Sequence, residues 1–341
     1  MEFDVANPPK AFAHWPVFDG PLTAQMTDRQ LMGLEEHFQP GLNLALPLAE
    51  WQQLTQAPAS LLCHRVEDPE VALPLRLGAG RYLAETMDPR LDVLNPPMIT
   101  IEGGWVESGL DEANVDGVMD TLQGLGLDRS WIEKEVPRHT LHLPRYAIGK
   151  YPVTNLEYKA FLEDSLQPRI PNNWAFGQFP VERSNHPVYG LEAEDADAYV
   201  AWLSARSGRA FRLPTEAEWE YAGAGPENFE FPWGERFLPE HANTAEMAIF
   251  NTTPVGMFPL GASPFGCLDM AGNVEEYVAD NYAPYPGGKA INDDLVQVVG
   301  THRIARGGSF TRFRDLARNC RRHGKYPRDI YVMGFRLAET L

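Results

Sequence analysis

GCLDMAGNVEEYVAD, residues 266–280, joins a tight turn to a run of strand formers. Asp269 and Glu276 place carboxylates on either side of Gly272, which has no Cβ to keep neighbouring carbonyls from pointing inward. A hard cation such as calcium needs several oxygen ligands around a turn of this kind. The alternative is an Asx-type turn whose carboxylates are solvated.

Upstream of this turn the helical signals are clear. In TNLEYKAFLED, Thr154 and Glu157 have capping-box spacing, and Leu156, Ala160 and Phe161 share a face. In LEAEDADAYVAWLSARSG, Ala196, Tyr199, Val200 and Leu203 make an apolar stripe that stops at Gly208, a C-cap. Thr215 and Glu218 start a third, short helix behind Pro214. Leu73 to Asp88 reads as a helix ended by Pro89, Met98 to Ile101 as a strand, and HTLHLPRYAIGKYPVT as strands by its alternation. An acidic insertion follows the Gly103-Gly104 turn, and past Gly223 the chain becomes rich in Gly, Pro, Asn and aromatic residues. Such irregular backbone stays ordered only if bound ions or dense side-chain hydrogen bonding partner its polar groups. We expect an N-terminal extension, partly helical, over residues 1–95 and one main domain over 96–341, in line with the length of 341 residues.

The formal charge of −18 sets the surface against non-specific nucleic-acid binding. No run of about eighteen apolar residues offers a membrane span, and MEFDVANPPKAFAHW has neither the basic nor the apolar part of a signal peptide. Cys63, Cys267 and Cys320 are too few and too scattered for a disulfide framework, so a cytoplasmic protein with free thiols is expected. The charge is uneven. Between Arg303 and Arg336 stand nine Arg and one Lys against Asp315 and Asp329 alone. Either these cations are salt-bridged into the acidic body, or they face an anionic ligand.

Seven segments occur in a fixed order: YPVTNLEY, HPVYGLEAEDADAYVAWL, FRLPTEAEWEYA, FPWGE, ANTAE, GCLDMAGNVEEYVAD, and RIARGGSF followed by GFRLA. Together they resemble the formylglycine-generating enzyme (sulfatase-modifying factor) family over residues 99–338. The resemblance implies an α+β, C-type-lectin-like fold with much irregular structure, two principal helices and a mixed, mostly antiparallel sheet. It also implies a structural calcium held by Asp269, Gly272, Val274 and Glu276, the middle two through carbonyls. A second calcium site would begin at Asn243 and Thr244, with Glu246 as the acid at hand.

Copper-dependent members of that family carry two cysteines five apart after the GGS turn, and soft Cu(I) suits thiolates. The matching positions here are Arg312 and Ala317, so no copper is expected. Cys320 stands alone, either a nucleophile near His323 or a buried thiol. A second branch, of the ergothioneine sulfoxide-synthase type, takes non-haem iron on an HxxxHxE helix. His14, His37 and His64 form no such pattern, and His139 and His142 would face opposite sides of a strand. Glu216, Glu218 and Glu220 read as structural, with an acid/base cluster as the alternative.

A third branch, the variable proteins of diversity-generating retroelements, ends in a similar RGGS…GFR segment that displays interchangeable side chains. By that resemblance the ligand surface comprises Thr311, Arg312, Phe313, Arg314 and Asp315, then Arg318, Asn319 and His323, then Tyr326, Arg328, Asp329, Ile330 and Tyr331. Arg, Tyr and Phe are common binding anchors. The expectation is a calcium-stabilised module binding a protein or an anionic ligand. The competing expectation is a non-haem iron oxidoreductase.

Overall fold

The computed structural model describes residues 14–39 and 43–341, and most of the N-terminal stretch read above for a leader lies outside them. Among the described residues eight strands form: β1 (Met98–Ile101), β2 (Gly104–Ser108), β3 (His139–Leu143), β4 (Tyr146–Pro152), β5 (Phe211–Arg212), β6 (Glu275–Asn281), β7 (Arg303–Arg306) and β8 (Met333–Thr340). β2 and β3 make a separate two-stranded ribbon. The remaining strands make one sheet in the order β1-β4-β8-β6-β7, with β5 also on β8. All its pairings are antiparallel except β6 with β8, where Glu276 lies opposite Gly334 and Tyr277 opposite Phe335. The GNVEEY turn and the C-terminal GFR segment are thereby locked side by side.

The helices are α1 (Asp28–Leu31), α2 (Leu48–Thr55), α3 (Ala59–Val66), α4 (Leu73–Thr86), α5 (Val115–Thr121), α6 (Arg129–Glu133), α7 (Asn155–Ser165), α8 (Ala193–Ser207), α9 (Glu216–Ala224) and α10 (Asp294–Val299). Both expected capping boxes are formed, on α7 and α9, and Gly208 ends α8 in the left-handed conformation at φ 71. The apolar stripes of α7 and α8 pack Tyr158, Phe161, Tyr199 and Leu203 against Phe335 and Leu337 of β8. α2, α3 and α4 share a second cluster with Met247, Met257 and Phe258, so the N-terminal helices and the irregular region cover one another's apolar surface. Gly80 of α4 meets Pro254 so closely that a Cβ would lie 2.5 Å from its ring. Among the described residues no helix is long and apolar enough to cross a membrane.

Glu157 of the α7 box accepts from the Thr154 amide at 2.7 Å and hydroxyl at 2.6 Å, and it is buried. Burial raises its pKa from 4.5 to about 7 despite these donors. The folded chain thus binds this proton where the unfolded chain has lost it. Its contribution to stability is full below about pH 4.5 and is lost as the pH rises through about 7. Glu157→Gln carries no charge at any pH. Urea unfolding is expected to show the variant gaining on the wild type between about pH 5 and about pH 8.

Candidate functional site: an arginine-lined pocket beside the sheet

β7 delivers the chain into Gly307 and Gly308, whose φ values are +91 and +68. A Cβ on Gly307 would stand 2.8 Å from the Met270 carbonyl, so the RGGS turn can approach the GNVEEY turn only as glycine. The segment from there to β8 has no regular structure, yet residues 304–322 are all buried. Its backbone is partnered from a distance: Ala245 donates to the Arg312 carbonyl at 2.9 Å, and Asn319 to the Glu230 carbonyl at 2.7 Å. The Arg314 amide donates to the Glu246 carboxylate at 2.9 Å.

Of the nine arginines between 303 and 336, eight have a carboxylate oxygen within 4.0 Å. Arg306 and Arg322 converge on Glu216, Arg318 forks onto Glu135, and Arg336 forks onto Glu276. The salt-bridged reading of the cationic run therefore holds for eight of them. Arg312 is the exception. It is buried, and among the described residues its guanidinium has no ion pair or hydrogen bond; it lies over the Tyr331 ring at 5.0 Å.

This burial corrects the expectation of a displayed surface. Thr311, Phe313, Arg314, Asp315, Arg318, Asn319 and Ile330 are interior, and only Asp329 is fully exposed. The cause is the chain's own N-terminal segment: Trp15 sits on the Arg314 guanidinium at 4.4 Å, and Phe18 meets Phe313 at 5.8 Å. Arg312, His323, Tyr326, Arg328 and Tyr331 do come together, around a cavity of about 40 Å³ closed by Leu22, Thr23, Ala24 and Leu31 on one side and Trp131, Asp293, Asp294 and Leu295 on another, where Asp293 is paired with Lys134 and Asp294 accepts from the Trp131 indole.

Among the residues at this pocket that escaped the sequence reading, two bear on its charge. Arg321 lines it, and its buried Nε has no hydrogen bond among the described residues, its nearest carboxylates, Asp315 and Glu135, standing 3.9 and 4.0 Å away. Glu275 stands behind it, accepting from or donating to His323 Nδ1 at 2.9 Å. The available signal was the Glu275-Glu276 pair: neighbours on a strand face opposite sides, so one carboxylate meets Arg336 and the other His323. Burial pushes Glu275 up to about 7, against Arg312 and Arg321, and pushes His323 well below the usual imidazole range, with Arg321, Arg312 and Lys134 adding to the effect. His323 also stacks on Tyr331 at 5.3 Å, which fixes its ring plane.

The first calcium set does not fit a cation. Glu276 gives both oxygens to Arg336, at 2.5 and 2.7 Å, and one also to the Trp219 indole at 2.6 Å. Asp269 accepts from the Gly256 amide and the Asn273 side chain. The positive charge expected from calcium is supplied beside Glu276 by a guanidinium. At the second set the balance differs. Asn243 Oδ1 is buried with no donor, and the buried Glu246 Oε2 is met by no more than the Thr244 hydroxyl. Among the described residues, no group of three or more His, Cys, Asp or Glu could hold a metal ion.

The copper positions are likewise occupied otherwise. Ala317 fills an apolar niche with Phe231, Ala242 and Ala271. The Cys320 thiol is buried 3.2 Å from Glu135, and burial raises its pKa well above the ordinary value, the reverse of an activated nucleophile. Glu216, Glu218 and Glu220 are structural: they bind Arg306 and Arg322, Arg212, and Arg306 with the Gly109 amide, respectively.

A mixed sheet flanked by two helices, with a glycine-anchored irregular segment enclosing a pocket, defines a C-type-lectin-like module. Residues 84–341 match the model of the sulfatase-modifying factor enzyme 1-like domain, and the chain belongs to that family. It is 30% identical over 318 residues to hercynine oxygenase of Mycolicibacterium smegmatis, covering 80% of this chain and 72% of that protein. It is 32% identical over 263 residues to the serine/threonine-protein kinase Pkn1 of Chlamydia trachomatis, covering 72% of this chain but 38% of the kinase. A second hercynine oxygenase, from Mycolicibacterium thermoresistibile, is spanned over 53% of its length. Among solved structures, PvdO from Pseudomonas aeruginosa superposes with a TM-score of 0.54 at 26% identity, over 73% of this chain and 95% of that one. Treponema denticola variable protein 1 shares the fold, with a TM-score of 0.52 at 20% identity over 71% of this chain and 94% of that one.

Replacing Arg336 by Met would leave Glu276 charged and buried, at a cost of about 3–5 kcal/mol. Chemical denaturation is expected to show that loss, and Glu276→Gln in the same chain to recover much of it.

Proposed function

We propose that this chain is a ligand-binding module of its family, taking a small anion in the C-terminal pocket without copper chemistry. The observation that carries this is Arg312, the one arginine of its run without a carboxylate among the described residues, buried against Tyr331 at the pocket wall. A buried guanidinium is costly unless an anion meets it. Arg321, whose Nε makes no hydrogen bond among the described residues, and the half-buried Arg328 add charge of the same sign, while of the two carboxylates on the wall Asp293 is already paired with Lys134. The fork of an arginine suits the paired oxygens of a carboxylate, sulfate or phosphate.

Titration calorimetry with sulfate and acetate tests the reading. The wild type is expected to bind, and Arg312→Ala to lose about tenfold or more in affinity, as for a hydrogen bond to a charged group. Equal affinity in the two proteins would remove the support.

A second reading, oxidation of a small substrate, is favoured by the His323–Glu275 pair and by the likeness to hercynine oxygenase. Elemental analysis of purified protein separates the two: stoichiometric iron supports the oxidoreductase. Calcium, as a structural ion, is best supported at Asn243, Thr244 and Glu246, where buried oxygens lack donors. A ligand that binds only the folded chain raises its melting temperature. About 1 mM calcium is expected to do so in the wild type and not in Asn243→Ala.

A further inference from the structure

The pocket has a wall that the family's own segments do not supply. Residues 18–31 run across it as a strap, tied on one side to the loop between α5 and α6 by Phe18 N–H to the Gly124 carbonyl and Leu22 N–H to the Gly126 carbonyl, both at 2.7 Å. On the other side Arg328 is the fastening. Its guanidinium donates to the Met26 carbonyl at 2.5 Å and to the Ala24 carbonyl, and stands 3.3 Å from Asp28. Leu22, Thr23, Ala24 and Leu31 thereby face Arg312, Arg321, His323 and Tyr331 across the cavity.

The space left between them is small. Its volume of about 40 Å³ compares with about 10–15 Å³ for one water, so it holds a few waters or one compact oxyanion. A branched or multiply charged acid would collide with Leu22 and Leu31. We infer that the strap is part of the ligand site and sets its size limit, with Arg328 as the latch that decides which anions enter. This rests on the anion-binding reading above and adds to it the size class of the ligand: a single carboxylate, sulfate or phosphate group rather than a polyacid.

The latch predicts a specific trade. Arg328 is one of the pocket's cations and also the strap's anchor, so removing it loosens the roof while also subtracting one of the pocket's charges. Removal of the strap's own fastenings does the first without the second. Phe18 packs on Phe313 and Asp28 faces Arg328, and neither contributes a positive charge.

The experiment combines hydrogen–deuterium exchange over residues 18–31 with calorimetry against sulfate and citrate, in the wild type, Arg328→Gln, and Phe18→Ala with Asp28→Ala. The wild type is expected to bind sulfate and not citrate. Both variants are expected to exchange faster in the strap and to gain citrate binding by tenfold or more, and the second variant to keep sulfate affinity within about threefold. Faster exchange without citrate binding would overturn the inference, as would citrate binding in the wild type. Should Arg328→Gln fail to fold, the strap variant decides alone. Failure of the wild type to bind sulfate would overturn the anion reading and this inference together, whereas sulfate binding with an unchanged citrate limit overturns the strap alone.

Discussion

The fold depends on guanidinium groups meeting carboxylates out of water. Glu216 receives Arg306 at 2.6 Å and Arg322 at 2.8 and 2.9 Å, and Glu135 receives Arg318 at 2.9 and 2.8 Å. Burial alone would raise Glu216; Arg306 and Arg322 outweigh it and hold the carboxylate below its ordinary value. Pairs of this kind add little net stability over apolar packing, yet breaking one leaves an uncompensated charge. What they provide here is position. A segment without helix or strand has no ladder to set its course, and the forks tie it to α9, to the loop before β3 and to the Glu230 turn.

That requirement explains how much was legible beforehand. The capping boxes, the Gly208 stop, the α8 stripe and β1 follow local rules of spacing and dihedral angle, and they formed where spacing put them. The direction of the cationic run did not follow such rules. Nine arginines in sequence are compatible with a surface or with a buried lattice, and the partners that decide, Glu135, Asp197 and Glu216, lie about a hundred residues or more away. The same holds for calcium: a carboxylate at Glu276 reads as a ligand until Arg336 is placed against it by the parallel pairing of β6 and β8.

The two positions at which the resemblance implies copper cysteines carry other side chains. The position matching one copper cysteine is an alanine in an apolar niche, and the other is the unpaired Arg312. Around them Gly307, against the Trp219 ring, and Gly308, against Leu316, constrain backbone and not ligand. Changing the few side chains that face the cavity changes what the module can hold, while the lattice behind them keeps the loop in place.

The contact between Arg328 and Met26 spans 302 residues of sequence. Synthesis proceeds from the N-terminus, so the strap leaves the ribosome before any of the surface it covers exists. Phe18 and Leu22 can bond Gly124 and Gly126 early, but Phe313 and Arg328, against which the strap closes, come about two hundred residues later. Closing so long a loop is an entropic cost met only when the other end is already ordered. The pocket's wall therefore joins residues from opposite ends of the described chain. Without residues 312–331 the strap would have no facing wall, so one cavity couples the order of the two segments.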